Sequence, residues 1–463
     1  MSRSFTSRRR VIQSVAGLAI GAGLPEWFVR RDSIAAAVTS TPTTQPKLPV
    51  ALIGCGGRGQ YVADHDGSKY LNVVAICDVD SRQTDQALEK FKGAEVYKDF
   101  RKVMERKDIK AVINATPDHW HTLINLHAMR QGKDVYGEKP LTLTIEEGQK
   151  VVQCVKETKQ ILQTGSQQRS DPKFRLAAEL VRNGRIGKVV HASTVVPTGG
   201  RAGPFTAKEA PPELDWEMWQ GQTARHDFQE ERIHGLFRWW WDYSEGTMTD
   251  WGAHHFDIVQ WALGMDETGP VSIDGRGIGD PIRGGFTTFP SFTIEYQYAN
   301  GVTHTAVAVP QTTPPYATER LLSAQEKEAM KEQSKSTPKA KDTGWRNSVR
   351  FEGTDGWIQV ARGRIEASHP EILKEALPES ATRLYHSDDH MGNFVKCVET
   401  REKPIASAEI GHRSATVCHL GAISCRLDRK LTWDPAAESF VNDDAANSMR
   451  SRQMHEPWGY DKV

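Results

Sequence analysis

The sequence has no excess of charge of one sign, no paired-cysteine pattern and no apolar run long enough to span a bilayer. Lys plus Arg and Asp plus Glu both number 59, so no net field draws the chain to nucleic acid or to an anionic membrane. Its six cysteines (Cys55, Cys77, Cys154, Cys397, Cys418 and Cys425) include no CxxC pair and no metal-ligand spacing. That argues against a zinc-knit or disulfide-framed domain. The N-terminal apolar stretch, Val15 to Leu24, falls short of the about 20 residues that a spanning helix needs. No internal repeat is present.

What is there is length, glycine and tryptophan. At 463 residues the chain can hold two or three domains with sizeable cores. The segment Ser7-Arg8-Arg9-Arg10-Val11-Ile12-Gln13 ahead of the apolar stretch resembles a twin-arginine export signal. Ala35-Ala36-Ala37 offers a small-residue cleavage site. Residues 1–37 are therefore expected to be a signal peptide outside the fold, and residues 38–47, rich in Ser, Thr and Pro, a linker. The resemblance implies a periplasmic or otherwise exported protein. That route carries proteins already folded in a reducing compartment, which fits a core independent of disulfides.

From Leu48 short apolar runs alternate with helix-length segments. Leu48–Ile53, Leu71–Cys77, Lys110–Ala115, Val135–Tyr136 and Ile161–Leu162 read as strands, with helices such as Asp118–Gln131 and Ile145–Thr158 between them. This is the pattern of a parallel sheet covered on both faces, so residues 48–168 are expected to be an α/β Rossmann domain. After about Gly187 longer strands follow one another without helices: Val189–Val196, Val271–Ile278, Phe292–Tyr298 and Val302–Val309. Residues 169–435 then form an α+β domain with an open, mainly antiparallel sheet. Within it, 312–344 reads as a mobile insertion and 389–429 as helices returning toward the Rossmann domain. Residues 436–463 form a C-terminal tail whose Pro457-Trp458-Gly459-Tyr460 is aromatic enough to dock.

The strongest local signal is Gly54-Cys55-Gly56-Gly57-Arg58-Gly59 between a strand and a helix. Gly54, Gly56 and Gly59 permit in turn a tight turn, close approach to a pyrophosphate, and close helix–strand packing. The helix start would add N–H groups for the phosphates. Asp78 ends the next strand about 20 residues on, where a carboxylate binds the adenosine ribose hydroxyls. A 2′-phosphate would meet a like charge there, so NAD is the expected cofactor. Arg82 keeps NADP in play.

Three further segments complete a pattern. Thr116-Pro117-Asp118-His119-Trp120-His121 follows the fourth expected strand, Glu138-Lys139-Pro140 the next, and Gly246-Thr247-Met248-Thr249-Asp250-Trp251-Gly252-Ala253-His254-His255-Phe256-Asp257 comes later. In this order they resemble the glucose–fructose oxidoreductase / inositol dehydrogenase (Gfo/Idh/MocA) family over roughly residues 48–310 and 349–435. The resemblance implies a loop beside the nicotinamide at Thr116, Pro117 and His121, and an E-K-P signature at Glu138 and Lys139. It also implies Lys139, Asp250 and His254 as the catalytic triad, and an oligomer, dimer or tetramer, formed through the second sheet. It implies no metal.

The residues make chemical sense without the family. Asp250 and His254, four apart, share one face of a helix. His254 suits proton exchange near neutral pH, and Asp250 would orient that imidazole or grip a substrate hydroxyl. Lys139, at a strand's carboxyl end, would stabilise alkoxide character. Arg169, Trp241 of the Arg238-Trp239-Trp240-Trp241 run and His255 are candidate substrate contacts. For each a packing role is the plainer alternative. A sugar, polyol or glycoside is the expected substrate.

Export narrows the chemistry. No soluble nicotinamide pool is expected outside the inner membrane, so such an enzyme must keep its cofactor and restore its redox state within each cycle. Paired oxidation and reduction of two sugars does this. So does bond cleavage through a transient keto-sugar, the chemistry of NAD-dependent glycoside hydrolases or lyases; a non-catalytic dinucleotide sensor is the third reading. The absence of a Thr-His-Gly pattern in the catalytic segment favours the first. Thiol titration of the denatured protein without reductant should find all six cysteines. A deficit of two would show a disulfide.

Overall fold

The computed structural model describes residues 23–31, 46–309, 345 and 347–462. Strands β1 (Leu48–Ile53), β2 (Leu71–Cys77), β3 (Glu95–Tyr97), β4 (Ala111–Asn114), β5 (Asp134–Gly137) and β6 (Leu162–Thr164) form a parallel sheet in the order β3-β2-β1-β4-β5-β6. Every residue of β4 and β5 is buried, as a sheet covered on both faces requires. The intervening helices are α1 (Gly57–Gln60, continued by a π-helical turn to Asp66), α2 (Ser81–Lys90), α3 (Phe100–Met104), α4 (Asp118–Arg130) and α5 (Ile145–Thr158). Short polar side chains start them: Asp80 accepts from Arg82 N–H, Asp99 from Arg101 N–H and Thr144 from Glu147 N–H. This is the expected Rossmann layer. β3 is half-exposed and short, so it gives no apolar run to read.

The second sheet has nine strands in the order β13-β12-β11-β7-β10-β9-β8-β14-β15. They are β7 (Val189–Pro197), β8 (Ser272–Ile278), β9 (Ser291–Gln297), β10 (Thr303–Val309), β11 (Ser348–Gly353), β12 (Gly356–Ala361), β13 (Arg364–Ala367), β14 (Leu431–Asp434) and β15 (Ser439–Phe440). All pair antiparallel except β7 with β10, so the sheet is open and mainly antiparallel. Its helices are α6 (Pro172–Arg182), α7 (Thr247–Asp250), α8 (Gly252–Leu263), α9 (His390–Thr400) and α10 (Ala408–Leu427). The last two do return: Met391, Phe394 and Cys397 of α9 join a core with Val50 and Ile113 of the parallel sheet. α10 is buried along most of its length; Ala408 packs in the Rossmann core and Val417, Leu420 and Ile423 under the second sheet.

Part of the N-terminal segment is packed against the fold. Residues 23–31, expected to lie in a leader outside the fold, pack on the second domain. Phe28 is fully buried among Phe174, Trp261 and Ile372, Trp27 Nε1 donates to Leu373 O at 3.0 Å, and Arg31 pairs with buried Glu179 at 2.9 Å. The Arg8–Arg10 run, the Ala35–Ala37 site, most of the 38–47 linker and the 312–344 insertion lie outside the described residues. The tail docks on the Rossmann domain, where Trp458 packs edge-on to Trp120 with ring centroids 4.8 Å apart and joins the same core as Phe100. All six cysteines are free and buried.

Burial holds five histidines neutral. It pushes His119 and His304 down to about 3, His255 and His390 to about 4, and His254 well below the ordinary value. Unfolding returns each to about 6.5, so below that pH the unfolded state binds more protons and stability falls. Burial acts oppositely on Asp78, pushed up to about 6, Glu147, to about 7, and Asp118, which gain stability on acidification but are fewer. The melting temperature should therefore drop as pH is lowered from about 6.5 to 4.5. A flat or rising profile over that window would contradict the neutral state of these imidazoles.

Candidate active site

A cleft of about 440 Å³ opens at the carboxyl ends of β1, β2, β4 and β5, the place where open α/β sheets bind ligands. Gly54 sits at φ +84°, and a Cβ there would lie 2.6 Å from the Ala115 backbone. A Cβ on Gly59 would lie 2.0 Å from Gly54 O, whereas Gly57 faces open space. Gly54 and Gly59 are thus required by packing, while Gly56, with only Gln83 Oε1 at 3.8 Å, leaves room for close approach of a ligand. Arg58, beside them, pairs with Glu138 at 2.7 Å.

Asp78 lines this cleft. Its two oxygens accept N–H from Cys55, at 2.7 Å, and from Asp80, at 3.0 Å, so it also braces the glycine loop. Burial pushes its carboxyl up to about 6 despite those N–H groups. The sequence reading missed Asp80, two residues on, which lines the cleft as well. Arg82, the residue that kept NADP open, is spent on Asp80: Nε and Nη2 donate to its two oxygens at 2.8 and 2.6 Å.

Thr116, Pro117 and His121 line the other half of the cleft. Both His121 ring nitrogens face carbonyl oxygens, Pro140 O at 2.7 Å and Thr116 O at 2.9 Å, so the ring clamps the loop after β4 to the loop after β5. His119 has turned away and donates to Trp219 O at 2.9 Å. Trp219 belongs to a segment that sequence reasoning did not find, residues 213–238. It pairs with the end of β2 through Ser81 N–H to Glu213 O at 3.0 Å and Asp215 N–H to Val79 O at 2.9 Å. It then lines the cleft with Met218, Trp219, His234, Phe237 and Arg238. Its own apolar core, with Leu214, Phe228, Trp240 and Tyr243, absorbs part of the tryptophan cluster. The signal was present in that cluster but gave no direction.

Lys139 stands at one end of the cleft and reaches across to the second domain. Its Nζ lies 2.6 Å from Asp250 Oδ1 and 2.9 Å from Asp250 O. Arg238 Nε donates to the same carboxylate oxygen at 3.2 Å. Burial alone would raise the Asp250 carboxyl, but these two cations overcome it and hold it at about 2. The helix breaks at Trp251, between α7 and α8, and Asp250 makes no bond to His254. Its expected role as orienter of that imidazole is corrected: it orients Lys139. His254 is buried, its Nδ1 has no partner among the described residues, and burial together with Lys139, Arg362, His255 and Arg58 keeps the ring neutral.

The three candidate substrate contacts are placed elsewhere. Arg169 is 1% exposed and spends its guanidinium on Asp257, at 2.8 Å, and Asp266, at 2.7 Å. Trp241 lies under Arg426 and Arg452, whose Cζ atoms are 3.7 and 4.2 Å from its ring centroid, away from the cleft. His255 accepts from Gln168 at 3.3 Å and donates to Asn347 Oδ1 at 2.5 Å, leaving no free ring nitrogen. Each takes the packing role that was the plainer alternative, with a partner remote in sequence.

Comparison with known proteins agrees with this fold. The profile of an oxidoreductase family with an NAD-binding Rossmann fold matches residues 48–166, and that of the family's C-terminal α/β domain matches 200–306 and 348–460. A scyllo-inositol 2-dehydrogenase (NAD(+)) of Bacillus subtilis is 24% identical over 368 residues, 77% of this chain and 88% of its own. An inositol 2-dehydrogenase of Rubrobacter xylanophilus is 31% identical over 253 residues, 51% of this chain and 69% of its own. Among solved structures, the aldose-aldose oxidoreductase of Caulobacter crescentus complexed with glycerol superposes with a TM-score of 0.59 at 16% identity, covering 84% of this chain and 100% of that one.

The glycine loop yields a paired test. Gly59→Ala must displace the Gly54 carbonyl and should cost about 1–3 kcal/mol, with loss of dinucleotide binding. Gly57→Ala meets nothing within 4 Å and should leave the melting temperature within about 1 °C of the parent, within the scatter of harmless surface changes. Equal losses in the two variants would contradict the assigned geometry.

Proposed function

The chain belongs to the Gfo/Idh/MocA family of NAD-binding oxidoreductases, and from that premise we propose that it oxidises a hydroxyl of a sugar or polyol with an NAD that it never releases. The observation that carries the reading is that Lys139, which lines the dinucleotide cleft, is bonded to Asp250 at 2.6 Å and acts on the buried, neutral His254 of the helix that follows. Gly54, Gly56, Gly57, Arg58, Gly59 and Asp78 would hold the cofactor's pyrophosphate and adenosine, and Thr116, Pro117, His121 and Glu138 would flank its nicotinamide. The bound cofactor supplies a hydride acceptor. Everything else is done by side chains. Lys139, aligned by Asp250, meets the substrate oxygen with a positive charge as its carbon loses hydride. Neutral His254 takes the hydroxyl proton, so one C–H and one O–H bond break and a carbonyl forms. A second carbonyl sugar, taking the hydride and the proton back, restores the starting state.

Retention is supported by the 213–238 segment, which is hydrogen-bonded to the end of β2 and to α4 and forms one wall of the cleft. It matches the need created by export through the Arg8–Arg10 signal, which we propose delivers a loaded enzyme to the periplasm. The outward positions Thr293, Glu295 and Gln297 of β9 are partly or fully exposed, and we assign this open face to contact between copies. Native mass spectrometry reads both points: about one NAD(H) per chain and a dimer or tetramer are expected. Empty monomers would remove both proposals. Lys139→Ala should retain the cofactor yet lower its reduction rate by polyols by about 10²–10³, as for loss of one group that stabilises a developing oxyanion. Undiminished reduction would overturn the site.

A further inference from the structure

Arg362 has no role so far. It holds the first position of the two-residue turn between β12 and β13, with Ala361 and Arg364 paired across it and Gly363 at φ +78°. So short a turn takes its path from the strands, which fixes where Arg362 starts. The Arg362 Cζ lies 4.9 Å from the centroid of Trp251, the residue between Asp250 and α8. Its Nε donates to Gln168 Oε1 at 3.2 Å. Gln168 is 4% exposed and donates in turn to His254 O at 3.1 Å. The guanidinium is therefore tied into the wall that carries His254, and its charge is felt at that imidazole and at Asp250.

The other cations at this site are matched. Arg58 has Glu138, while Lys139 and Arg238 share Asp250. Arg362 has no ion pair among the described residues, and its terminal nitrogens make no hydrogen bond there. Asp171, the other acid that acts on it, uses Oδ1 to cap α6 through Lys173 N–H and does not pair with it. Lys139, Arg238 and Arg362 thus all act on Asp250, with buried Asp118 a second acid that acts on Lys139 and Arg238, beside an imidazole that stays neutral. Partial enclosure and then the neighbouring Arg58 disfavour the charge of this solvent-exposed side chain more than Asp171 and Asp250 favour it. A planar fork with two free nitrogens fits an oxyanion, above all a carboxylate.

We propose that the substrate is an acidic sugar whose carboxylate is received by Arg362, while the carbon to be oxidised lies between Lys139, His254 and the nicotinamide. This rests on the oxidoreductase reading above and adds the charge of the substrate. It makes Arg362 a specificity-determining residue. A carboxylate held there neutralises the unmatched guanidinium and fixes which end of the sugar faces Lys139.

The test is equilibrium binding by calorimetry to the cofactor-loaded protein, with glucuronate and galacturonate against glucose and galactose, and glucose 6-phosphate as the alternative oxyanion. The better hexuronate should bind at least tenfold tighter than its parent hexose. Arg362→Gln should cut that ratio at least tenfold, and Arg362→Lys, which keeps the charge but not the fork, should recover part of it. Equal affinity of acid and parent sugar, or a ratio indifferent to both substitutions, overturns the proposal. Glucose 6-phosphate binding more tightly than either uronate overturns the carboxylate assignment. Absorbance of reduced nicotinamide is followed in the same samples. An Arg362-dependent preference without cofactor reduction would leave the anion site standing and sink the oxidoreductase reading instead.

Discussion

The ion pair between Lys139 and Asp250 is the constraint around which the molecule is arranged. Lys139 follows the fifth strand of the parallel sheet and Asp250 ends a short helix of the second domain, so the bond fixes one domain against the other at the point where chemistry is to occur. A buried pair of this kind contributes little net stability, because desolvation offsets attraction. Its value is positional. Arg238 adds a second cation to the same carboxylate, which lets Asp250 stay ionised while it is taken out of water. Burial sets the state of His254 first, and Lys139, Arg362, His255 and Arg58 then add repulsion, so a protonated imidazole is disfavoured twice. The bond orients the ammonium of Lys139, while burial first and nearby positive charge second leave His254 neutral.

Much of this was legible in the sequence, for reasons that differ by element. β1 and β2 were readable to the residue because each is an apolar run closed by glycine or aspartate, and the glycine spacing carries its own steric reason. The Rossmann layer followed from local alternation alone. Roles that depend on distant partners were not legible. Arg169 looks like a polar residue at the end of a strand until Asp257 and Asp266, some 90 residues on, are seen to enclose it. Trp241 looks like a sugar platform until Arg426 and Arg452 cover it. Asp250 and His254 share a spacing that suggests a hydrogen bond, yet the break at Trp251 sends the carboxylate to Lys139. Spacing indicates which side chains share a face; it does not name the third residue that competes for them.

The cleft wall formed by residues 213–238 shows how a second domain alters an old binding site without touching its glycines. The loop and the carboxylate after β2 are local features of the first domain. The facing wall comes instead from a segment contributed more than 100 residues later, held by backbone bonds at Val79 and Ser81 and by the side chains of His119 and Trp120. Because those bonds use ends of β2 and α4 that also line the cleft, whatever loosens the segment must also disturb the walls of the site.

The wedge made by Trp27, Phe28 and Arg31 ties the history of the chain to its final form. If export is completed by a cut near Ala35–Ala37, the fragment that leaves takes Phe28 out of its seat among Phe174, Trp261 and Ile372 and removes one guanidinium from the enclosed carboxylate of Glu179. Processing would then act as a delayed core truncation: the shortened protein would arrive with an unfilled apolar socket and an acid one partner poorer. The uncut chain carries its own plug.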